Sequence, residues 1–435
     1  MIAFLMKNKK CLWVAGMGTG KTLTALAGMA RVGARRGLVV CPKSAILSVW
    51  VANVDRHTTG LKVYPLTKGS SKDKQTLLDT TKDEQDVLYV VNYETARLLN
   101  YTKLDYAVLD ESQKLGTHNS RQTLELTKAL ASVPHVVCLT ATPFADRPIQ
   151  VYGQVRILSP LLTKKGHPHS TLLGSYDKFF DNHISYYTLG RLKIPTGLKD
   201  GVKLGATLGN VIHRVTDANV KLPSVLRIDH ECVLEGELLR IYQELLKDFI
   251  ARIDEGVITA GNVLVHSLRL QQATSGILTL DGGVHKELPS PKDGVLQELL
   301  DHSDPVVIFT RFKPEVARIA KLLGKRSLQL TGDTNELARW QAGEAQVLIA
   351  NINAGGAGIE LHRASQVIYY SHTTSRTLFI QSTGRIVRPD SAFTNVRQHH
   401  IVVKDTVEEA ILKLMETKGK LENELLREIK SSRMG

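Results

Sequence analysis

The chain has 435 residues, of which 43% are hydrophobic, with a formal net charge of +13 and a pI near 9.4. This length predicts two or three domains with ordinary cores, and the basic balance favours a polyanionic partner such as nucleic acid, although charge alone fits a basic protein without such a partner equally well. The cysteines form no Cys-x-x-Cys pair, so we do not expect a disulfide scaffold. No apolar stretch reaches the ~18 residues that span a bilayer, and lysines follow rather than precede the apolar N-terminus. We therefore expect neither a membrane protein nor a secreted one, and predict a cytoplasmic location.

Short apolar runs alternate with helical patterns from residue 11 to residue 140. The strand candidates are residues 11–14, 38–41, 62–64, 87–91, 106–109 and 135–139. The helix candidates between them are residues 21–31, 45–54, 72–78, 94–99 and 121–131. Such alternation is typical of a parallel sheet with helices on both faces, so we predict an α/β lobe over residues 1–150.

A glycine-rich loop joins the first strand of this block to its first helix. Its members are Gly16, Met17, Gly18, Thr19, Gly20, Lys21 and Thr22. Glycines there let backbone N–H groups surround phosphate oxygens, and the helix N-terminus adds partial positive charge. The pattern predicts a nucleotide cradle in which Lys21 contacts the β- and γ-phosphates and the Thr22 hydroxyl holds Mg²⁺. The alternative is a glycine-rich turn that binds nothing; the strand–loop–helix context and the Lys-Thr ending oppose it.

Polar residues also follow two later strands of the block. Asp110 and Glu111 come directly after the run 106–109, and Thr140 and Thr142 follow the run 135–139. Ligands of open parallel sheets bind at the carboxyl ends of the strands. We therefore expect Asp110 to bind Mg²⁺ and Glu111 to orient and activate the attacking water. The two threonines are candidates for a relay from the γ-phosphate, although an ordinary strand followed by a turn explains them as well.

The alternation of strand and helix patterns does not continue through residues 151–290. From Arg156 to Arg214 there are nine Lys or Arg residues against three acidic ones, and glycine and proline recur. This composition predicts an irregular basic insertion on the first lobe. Helices are expected after it, at about 235–275, where residues 237–253 form an amphipathic pattern.

A second alternating block runs from about residue 292 to 404. Its strand candidates are residues 305–309, 327–330, 346–350, 366–370 and 399–403. It has no phosphate loop of its own, so we predict a second α/β lobe over 291–404 with the nucleotide held between the lobes. A capping box at Thr406–Glu409 then begins a helical pattern, and residues 405–435 are predicted as a C-terminal helix that packs on or bridges the lobes.

Together these motifs resemble those of the superfamily 2 helicases and translocases. In the first lobe the phosphate loop, Asp110-Glu111-Ser112-Gln113 and Leu139-Thr140-Ala141-Thr142-Pro143 are similar to motifs I, II and III. In the second, residues 307–312, 351–361 and 381–388 resemble motifs IV, V and VI. The resemblance implies two RecA-like parallel-sheet lobes with a basic insertion and helical region between them, ATP and Mg²⁺ as cofactors, and DNA-dependent ATP hydrolysis.

The resemblance also implies roles for further residues. Arg385 and Arg388 of motif VI are expected to face the γ-phosphate in the transition state, with Arg385 the stronger candidate for an arginine finger. Gln113 and Gln381 are expected to couple nucleotide state to lobe closure. Close backbone approach to the γ-phosphate or to DNA is expected at two glycines of motif V, Gly356 and Gly358.

DNA contacts are expected along one face that spans both lobes. The candidates for phosphate contacts are Lys43, Ser44, Thr310 and Arg311, any one of which also fits a solvated side chain. Such contacts are independent of base sequence and sensitive to salt. Trp50 is predicted to belong to the core rather than to stack on a base.

Two segments, 215–223 and 268–276, resemble the Swi/Snf-like branch, and the small size is most similar to phage helicases that remodel branched DNA. Asn351-Ile352 stands where motif V usually has Ser-Thr, which leaves hydroxyl contacts there open. We predict an ATP-dependent DNA helicase or translocase that acts on branched DNA, by fork remodelling or Holliday-junction branch migration, in replication, recombination or repair. The alternatives are the duplex-translocating motor subunit of a restriction system, an RNA helicase, and a nucleotide-gated DNA-binding protein without motor activity.

Overall fold

The computed structural model describes residues 1–16, 18–144, 147–162, 168–189, 192–199, 201–215, 222–254, 260–279, 285–300, 304–354, 359–388, 391 and 393–417. These residues form two compact units. The first contains the described residues up to Val215, and the second contains those from Leu222 to Thr417. The segment predicted as one region over 151–290 is therefore divided between the two units.

Eleven strands are described in the first unit. In chain order, β1–β11 are Lys10–Ala15, Arg36–Cys41, Lys62–Pro65, Val87–Asn92, Tyr106–Asp110, His135–Thr140, Leu161–Leu162, Pro168–Ser170, Ile184–Leu189, Leu192–Leu198 and Ile212–Val215. Seven of them form one all-parallel sheet in the order β11-β1-β6-β5-β2-β4-β3. The six strands expected between residues 11 and 140 are confirmed. The edge strand β11, which lies at the end of the basic segment, was not predicted.

The sheet of the first unit is covered on both faces. Along β1, Leu12 and Val14 belong to one apolar cluster, whereas Cys11 and Trp13 belong to another. Since successive side chains of a strand point to opposite faces, a nearly continuous apolar run is what a sheet buried on both sides requires. The other two strand pairs of this unit are antiparallel, β7 with β8 and β9 with β10.

The helices expected between residues 21 and 131 are confirmed with one exception. Those over 2–8, 150–158, 176–183 and 201–208 were not predicted, and the last three show that the segment expected to be an irregular basic insertion contains regular structure. In chain order, α1–α9 are Ile2–Asn8, Lys21–Arg31, Ala52–His57, Ser71–Thr80, Tyr93–Ala96, Arg121–Leu130, Gln150–Leu158, Tyr176–His183 and Gly201–Leu208. The exception is the segment predicted as one helix over 45–54. It forms a π-helix, Ile46–Val51, that leads into α3, and its N-cap is Ala45.

The second unit is built on a six-stranded, all-parallel sheet. Its strands β12–β19 are Ser224–Cys232, Ile277–Thr279, His285–Glu287, Val306–Thr310, Ser327–Leu330, Val347–Asn351, Gln366–Tyr369 and Asn395–Val403. The sheet order is β12-β19-β18-β15-β17-β16, and β13 pairs with β14 as a separate antiparallel pair. The five predicted strands are confirmed, and β12 was not predicted. Two parallel-sheet units with flanking helices thus confirm the predicted fold class.

The helices of the second unit include the amphipathic segment expected near 237–253. In chain order, α10–α15 are Gly236–Asp254, Ala260–Thr274, Pro291–Leu299, Lys313–Leu323, Leu337–Gln341 and Arg376–Thr383. Leu238 and Tyr242 of α10 are buried in one cluster with Leu270 and Ala273 of α11. A last helix covers residues 407–417, and the remainder of the C-terminal helix predicted over 405–435 lies outside the described residues. Within the described residues, none of the helices has the length and apolarity that crossing a bilayer demands.

Candidate nucleotide site at the carboxyl edge of the first sheet

The topology of the first sheet brings three polar segments to one edge. Strand β6 lies between β1 and β5, and all three run in the same direction. In register, Val14 is opposite Thr140, and Asp110 is opposite Leu139. The glycine-rich loop, the acidic pair and the two threonines therefore leave the sheet side by side, at the edge where parallel sheets bind ligands.

The glycine-rich loop owes its shape to two glycines. Gly18 and Gly20 have φ angles of 72° and 76°, in the left-handed region that residues with a side chain rarely adopt. The Thr19 hydroxyl donates to the Gly16 carbonyl at 2.7 Å, which closes the turn, and α2 begins at Lys21. Thr22 lies in the first turn of α2, and Met17 lies outside the described residues. The N–H groups of this first turn have no partner within the helix and can receive an anion.

The Lys21 ammonium is held at the mouth of this loop. It donates to the carbonyl oxygens of Ala15 at 3.0 Å and Gly16 at 2.7 Å. These are neutral acceptors, and an ammonium group bonds more strongly to an anionic oxygen. A phosphate group at the loop can therefore draw the ammonium away from the two carbonyls.

The Asp110 carboxylate is oriented by one donor on each oxygen. The Trp50 indole N–H donates to Oδ2 at 3.0 Å, and the Glu111 backbone N–H donates to Oδ1 at 3.0 Å. The Tyr93 hydroxyl donates to the Asp110 backbone carbonyl at 2.8 Å. Burial, together with the neighbouring Glu111 carboxylate, raises the pKa of Asp110 to about 6, although Trp50 and Lys21 oppose the shift.

This electrostatic environment fits a bound cation. Two adjacent carboxylates, one of them with a raised pKa, form a site where added positive charge is favourable. Mg²⁺ in nucleotide sites keeps several waters and uses one or two protein ligands plus phosphate oxygens. Thr22 and Asp110, the predicted ligands, would be the protein groups that hold the ion in such a site. Among the described residues there is no cluster of three His, Cys, Asp or Glu side chains that would form an all-protein metal cage.

Glu111 lies in a strained backbone conformation and is tied to the threonine segment. Its φ of 54° is in the left-handed region, which is uncommon for a residue other than glycine and often marks a functional site. The Gln113 side-chain amide donates to Glu111 Oε2 at 2.6 Å. The Thr140 hydroxyl donates to Gln113 Oε1 at 2.6 Å and accepts from the Thr142 backbone N–H at 2.9 Å. One series of hydrogen bonds thus joins all four residues.

Trp50, Tyr93 and Gln154 support the site but were not predicted to do so. The Ser112 hydroxyl donates to Gln154 Oε1 at 2.8 Å, and the Gln154 amide donates to the Pro143 carbonyl at 2.9 Å. Gln154 is fully buried and therefore clamps the two loops that follow β5 and β6. Its signal was a glutamine inside an otherwise apolar stretch of α7. For Tyr93 the signal was a hydroxyl directly after β4, at the same edge of the sheet.

In the second unit, the residues assigned to motif VI lie in and after α15. Gln381 lies in the last turns of that helix, Arg385 is buried and Arg388 is half-buried. In motif V the Asn351 amide donates to the Arg311 carbonyl at 3.0 Å. The predicted positions Gly356 and Gly358 lie outside the described residues.

The four candidates for DNA contacts differ in exposure. Lys43 and Ser44 are exposed in the loop after β2, whereas Thr310 at the end of β15 is fully buried. The Arg311 guanidinium donates to Gln271 Oε1 at 2.6 Å, and burial lowers its pKa. Thr310 therefore belongs to the interior of the second unit, Arg311 is half-buried with its guanidinium bonded to Gln271, and Lys43 and Ser44 are the exposed candidates for phosphate contacts.

Comparisons with known proteins divide the chain into two matched regions, the first of which extends past the boundary between the two compact units. Residues 1–277 match the family model described as SNF2-related domain, and residues 291–390 match the helicase conserved C-terminal domain. Protein p41 of Acyrthosiphon pisum secondary endosymbiont phage 1 is 25% identical over 99% of this chain and 97% of its own length. An uncharacterized ATP-dependent helicase of Mycoplasma genitalium is 23% identical over 93% of this chain, which spans only 39% of that relative. The solved Sulfolobus solfataricus SWI2/SNF2 ATPase core in complex with dsDNA is 21% identical with a TM-score of 0.44, covering 100% of this chain and 92% of that chain.

Proposed function

The chain belongs to the SNF2-related family of helicase-type ATPases, and from this premise we propose that it hydrolyses ATP to translocate on or remodel branched DNA. Family membership confirms the predicted superfamily 2, Swi/Snf-like enzyme class. Branched DNA as the substrate, and fork remodelling or branch migration as the outcome, are our proposals. Their support is the net charge of +13 and the basic segment of the first unit.

The proposed nucleotide site divides its tasks among residues at one sheet edge. Lys21 and the N–H groups of the loop bind the phosphates, and Thr22 and Asp110 hold Mg²⁺. When bound there, Mg²⁺ would supply positive charge that offsets the negative charge of the phosphate groups. Glu111 orients and deprotonates the attacking water.

Four further residues complete the proposed cycle. The Gln113 side chain donates to the Glu111 carboxylate and accepts from the Thr140 hydroxyl at 2.6 Å. A movement of Glu111 would therefore move Thr140 as well. For Arg385 and Arg388 we propose the stabilisation of charge on the transferred phosphoryl group, a contribution worth ~10³–10⁵ in rate in related reactions. Gln381 is proposed as the corresponding coupling residue of the second unit.

The proposed DNA contacts involve two surfaces of the first unit. Lys43 and Ser44 offer an ammonium, a hydroxyl and backbone N–H groups to a phosphate. The β9–β10 hairpin is the second surface, and we propose that it acts as a wedge or clamp at the branch point. On it the Lys193 and Lys199 ammonium groups lie 4.6 and 5.6 Å from the centre of the Tyr186 ring. Exposed lysines can neutralise backbone phosphates, and an aromatic ring beside them can stack on a base.

The observation that carries this proposal is the series from Glu111 through Gln113 to Thr140, next to the phosphate loop. A protein that only binds nucleotide has no need to connect the water-activating carboxylate to a second loop. A motor does need such a connection, because hydrolysis must change the protein elsewhere.

The decisive experiment measures ATPase stimulation and product release on forks, four-way junctions, flaps, plain duplex and RNA. We expect the highest turnover on forks or junctions, with release of unwound or migrated products, and none with Lys21→Ala. Stimulation by plain duplex alone would indicate the restriction-type motor, and stimulation by RNA would indicate an RNA helicase. DNA affinity that depends on ATP without turnover would indicate a nucleotide-gated binding protein.

A further inference from the structure

We propose that Trp50 is a positioning residue that transmits the engagement of DNA at Lys43 and Ser44 to the carboxylate of Asp110. The proposal rests on the proposed function, because it assigns Asp110 to Mg²⁺ and the Lys43–Ser44 segment to DNA. It adds a residue and a route that the motifs do not contain.

The first step is the contact of Trp50 with Asp110. Oδ1 is held by the N–H of the next residue in the chain, and the backbone carbonyl is held by Tyr93. Among the described residues the hydrogen bond to Oδ2 comes from Trp50 alone, at 3.0 Å. The indole therefore fixes the rotation of the carboxylate about the Cβ–Cγ bond. This rotation decides whether the oxygen lone pairs point toward a cation.

The second step is the contact of the π-helix with the exposed segment. The Ile46 backbone N–H donates to the Lys43 carbonyl at 3.4 Å, and the Ser48 hydroxyl donates to the Ser44 carbonyl at 2.6 Å. Both carbonyls belong to the residues proposed to hold a DNA phosphate. A displacement of that backbone is therefore passed directly to the first turn of the π-helix.

The third step is the π-helix itself. Ile46 and Trp50 are buried on its inner side, whereas Leu47 and Ser48 are exposed. π-Helical turns are rare and are frequent at functional sites, since they place a side chain where an α-helix would not. Here the wide turn places Trp50 six residues after Ser44 and within hydrogen-bond distance of Asp110.

The competing explanation is that Trp50 only fills the core. It is fully buried and belongs to the same apolar cluster as Trp13, which is also fully buried. The two indoles differ in their hydrogen bonding: among the described residues the Trp13 indole N–H has no hydrogen-bond partner. Trp13→Phe therefore reproduces the loss of volume in Trp50→Phe without the loss of a hydrogen bond to the site.

The test is a binding measurement on the full chain by calorimetry. A non-hydrolysable ATP analogue is titrated in EDTA and at rising Mg²⁺ concentration, with and without a DNA duplex. Removing a group that orients a metal ligand typically weakens metal affinity by ~10–100-fold. We expect the Mg²⁺ midpoint of Trp50→Phe to rise by that factor, while the affinity in EDTA stays that of wild type and Trp13→Phe keeps the wild-type midpoint.

The DNA arm tests the transmission. In wild type the duplex shifts the Mg²⁺ midpoint, and by reciprocity Mg²⁺ with the analogue shifts DNA affinity by the same factor. We expect Trp50→Phe to lose most of this shift and Trp13→Phe to keep it. If Trp50→Phe does not fold, as judged by circular dichroism, the same titration is made with benzothienylalanine at position 50, which keeps the shape of the indole and lacks only its N–H.

The outcomes separate the two levels of the argument. A Trp50 variant that matches Trp13→Phe in both the Mg²⁺ midpoint and the DNA shift overturns the role of Trp50. A wild-type chain that binds neither the analogue nor the duplex overturns the proposed function instead.

Discussion

Replacing Asp110 by Asn is expected to abolish ATP turnover and to stabilise the ligand-free protein above pH 6. Burial and the Glu111 carboxylate raise the pKa of Asp110 to about 6 from its usual 3.8. Between these pH values the unfolded chain loses the proton more readily than the folded one. The folded state is therefore penalised increasingly from pH 4 to pH 6 and by a constant amount above, about 3 kcal/mol at most.

The net gain is smaller, because Asn has only one acceptor oxygen. Trp50 and the Glu111 N–H each donate to one oxygen of the carboxylate, so the carboxamide leaves one donor unpaired. That loss costs about 1–2 kcal/mol. We expect a net stabilisation of about 1–2 kcal/mol at pH 8, and none or a slight destabilisation at pH 4.5.

The assay is urea unfolding of both proteins in EDTA at several pH values. Asp55→Asn, which changes an exposed carboxylate of the same unit, is the control and is expected to show no such pH-dependent gain. A difference in stability between Asp110→Asn and wild type that is the same at pH 4.5 and pH 8 would refute the electrostatic reasoning.

Four further predictions concern turnover and substrate. Lys21→Ala should abolish hydrolysis but leave DNA binding largely intact, as measured by ATPase assay and fluorescence anisotropy; full residual turnover would contradict the cradle. Glu111→Gln should bind ATP with near wild-type affinity and hydrolyse it at least ~100-fold more slowly, because the attacking water loses its base. An undiminished single-turnover rate of hydrolysis would exclude that role. Thr140→Val removes the hydroxyl that holds the glutamine of the acidic loop, and should lower product formation per ATP more than ATP affinity. Replacing both Lys193 and Lys199 by Ala should weaken fork unwinding more than duplex-stimulated ATPase activity. Equal losses of both activities would contradict the proposed wedge role of the hairpin.

The buried strands and the edge strands β3 and β16 were predicted, whereas the edge strands β11 and β12 were missed. Strands such as β1 and β5 are continuous apolar runs because helices cover both faces. β12 is exposed along most of its length, and β11 has only four residues within a basic, glycine-rich segment. Neither leaves a periodic apolar signal. The π-helix was missed for another reason: its apolar spacing over 46–50 is the same as that of an α-helix.

The site was predictable where chemistry follows a strand end, and less so where it depends on packing. Asp110 and Thr140 are polar residues directly after apolar runs, and parallel topology brings such residues together. Trp50 was correctly expected in the core, but composition does not reveal which way an indole N–H points. Thr310 and Arg311 also follow a strand, yet neighbouring segments cover that end, where the Ser371 hydroxyl accepts the Arg311 backbone N–H at 2.7 Å.

The unfavourable features of the candidate nucleotide site share one cause. A carboxylate with a raised pKa and a glutamate with φ of 54° each reduce local stability, and the Lys21 ammonium donates to two neutral loop carbonyls. A bound cation would stabilise the Asp110 carboxylate, a bound anion would pair with the Lys21 ammonium, and a water between the two ligands would hydrogen-bond to Glu111. These demands have opposite signs and lie at one edge of one sheet, so a metal-bound polyphosphate meets them together. Proteins tolerate such local losses where a ligand compensates for them, and for this reason the strained residues themselves identify the site.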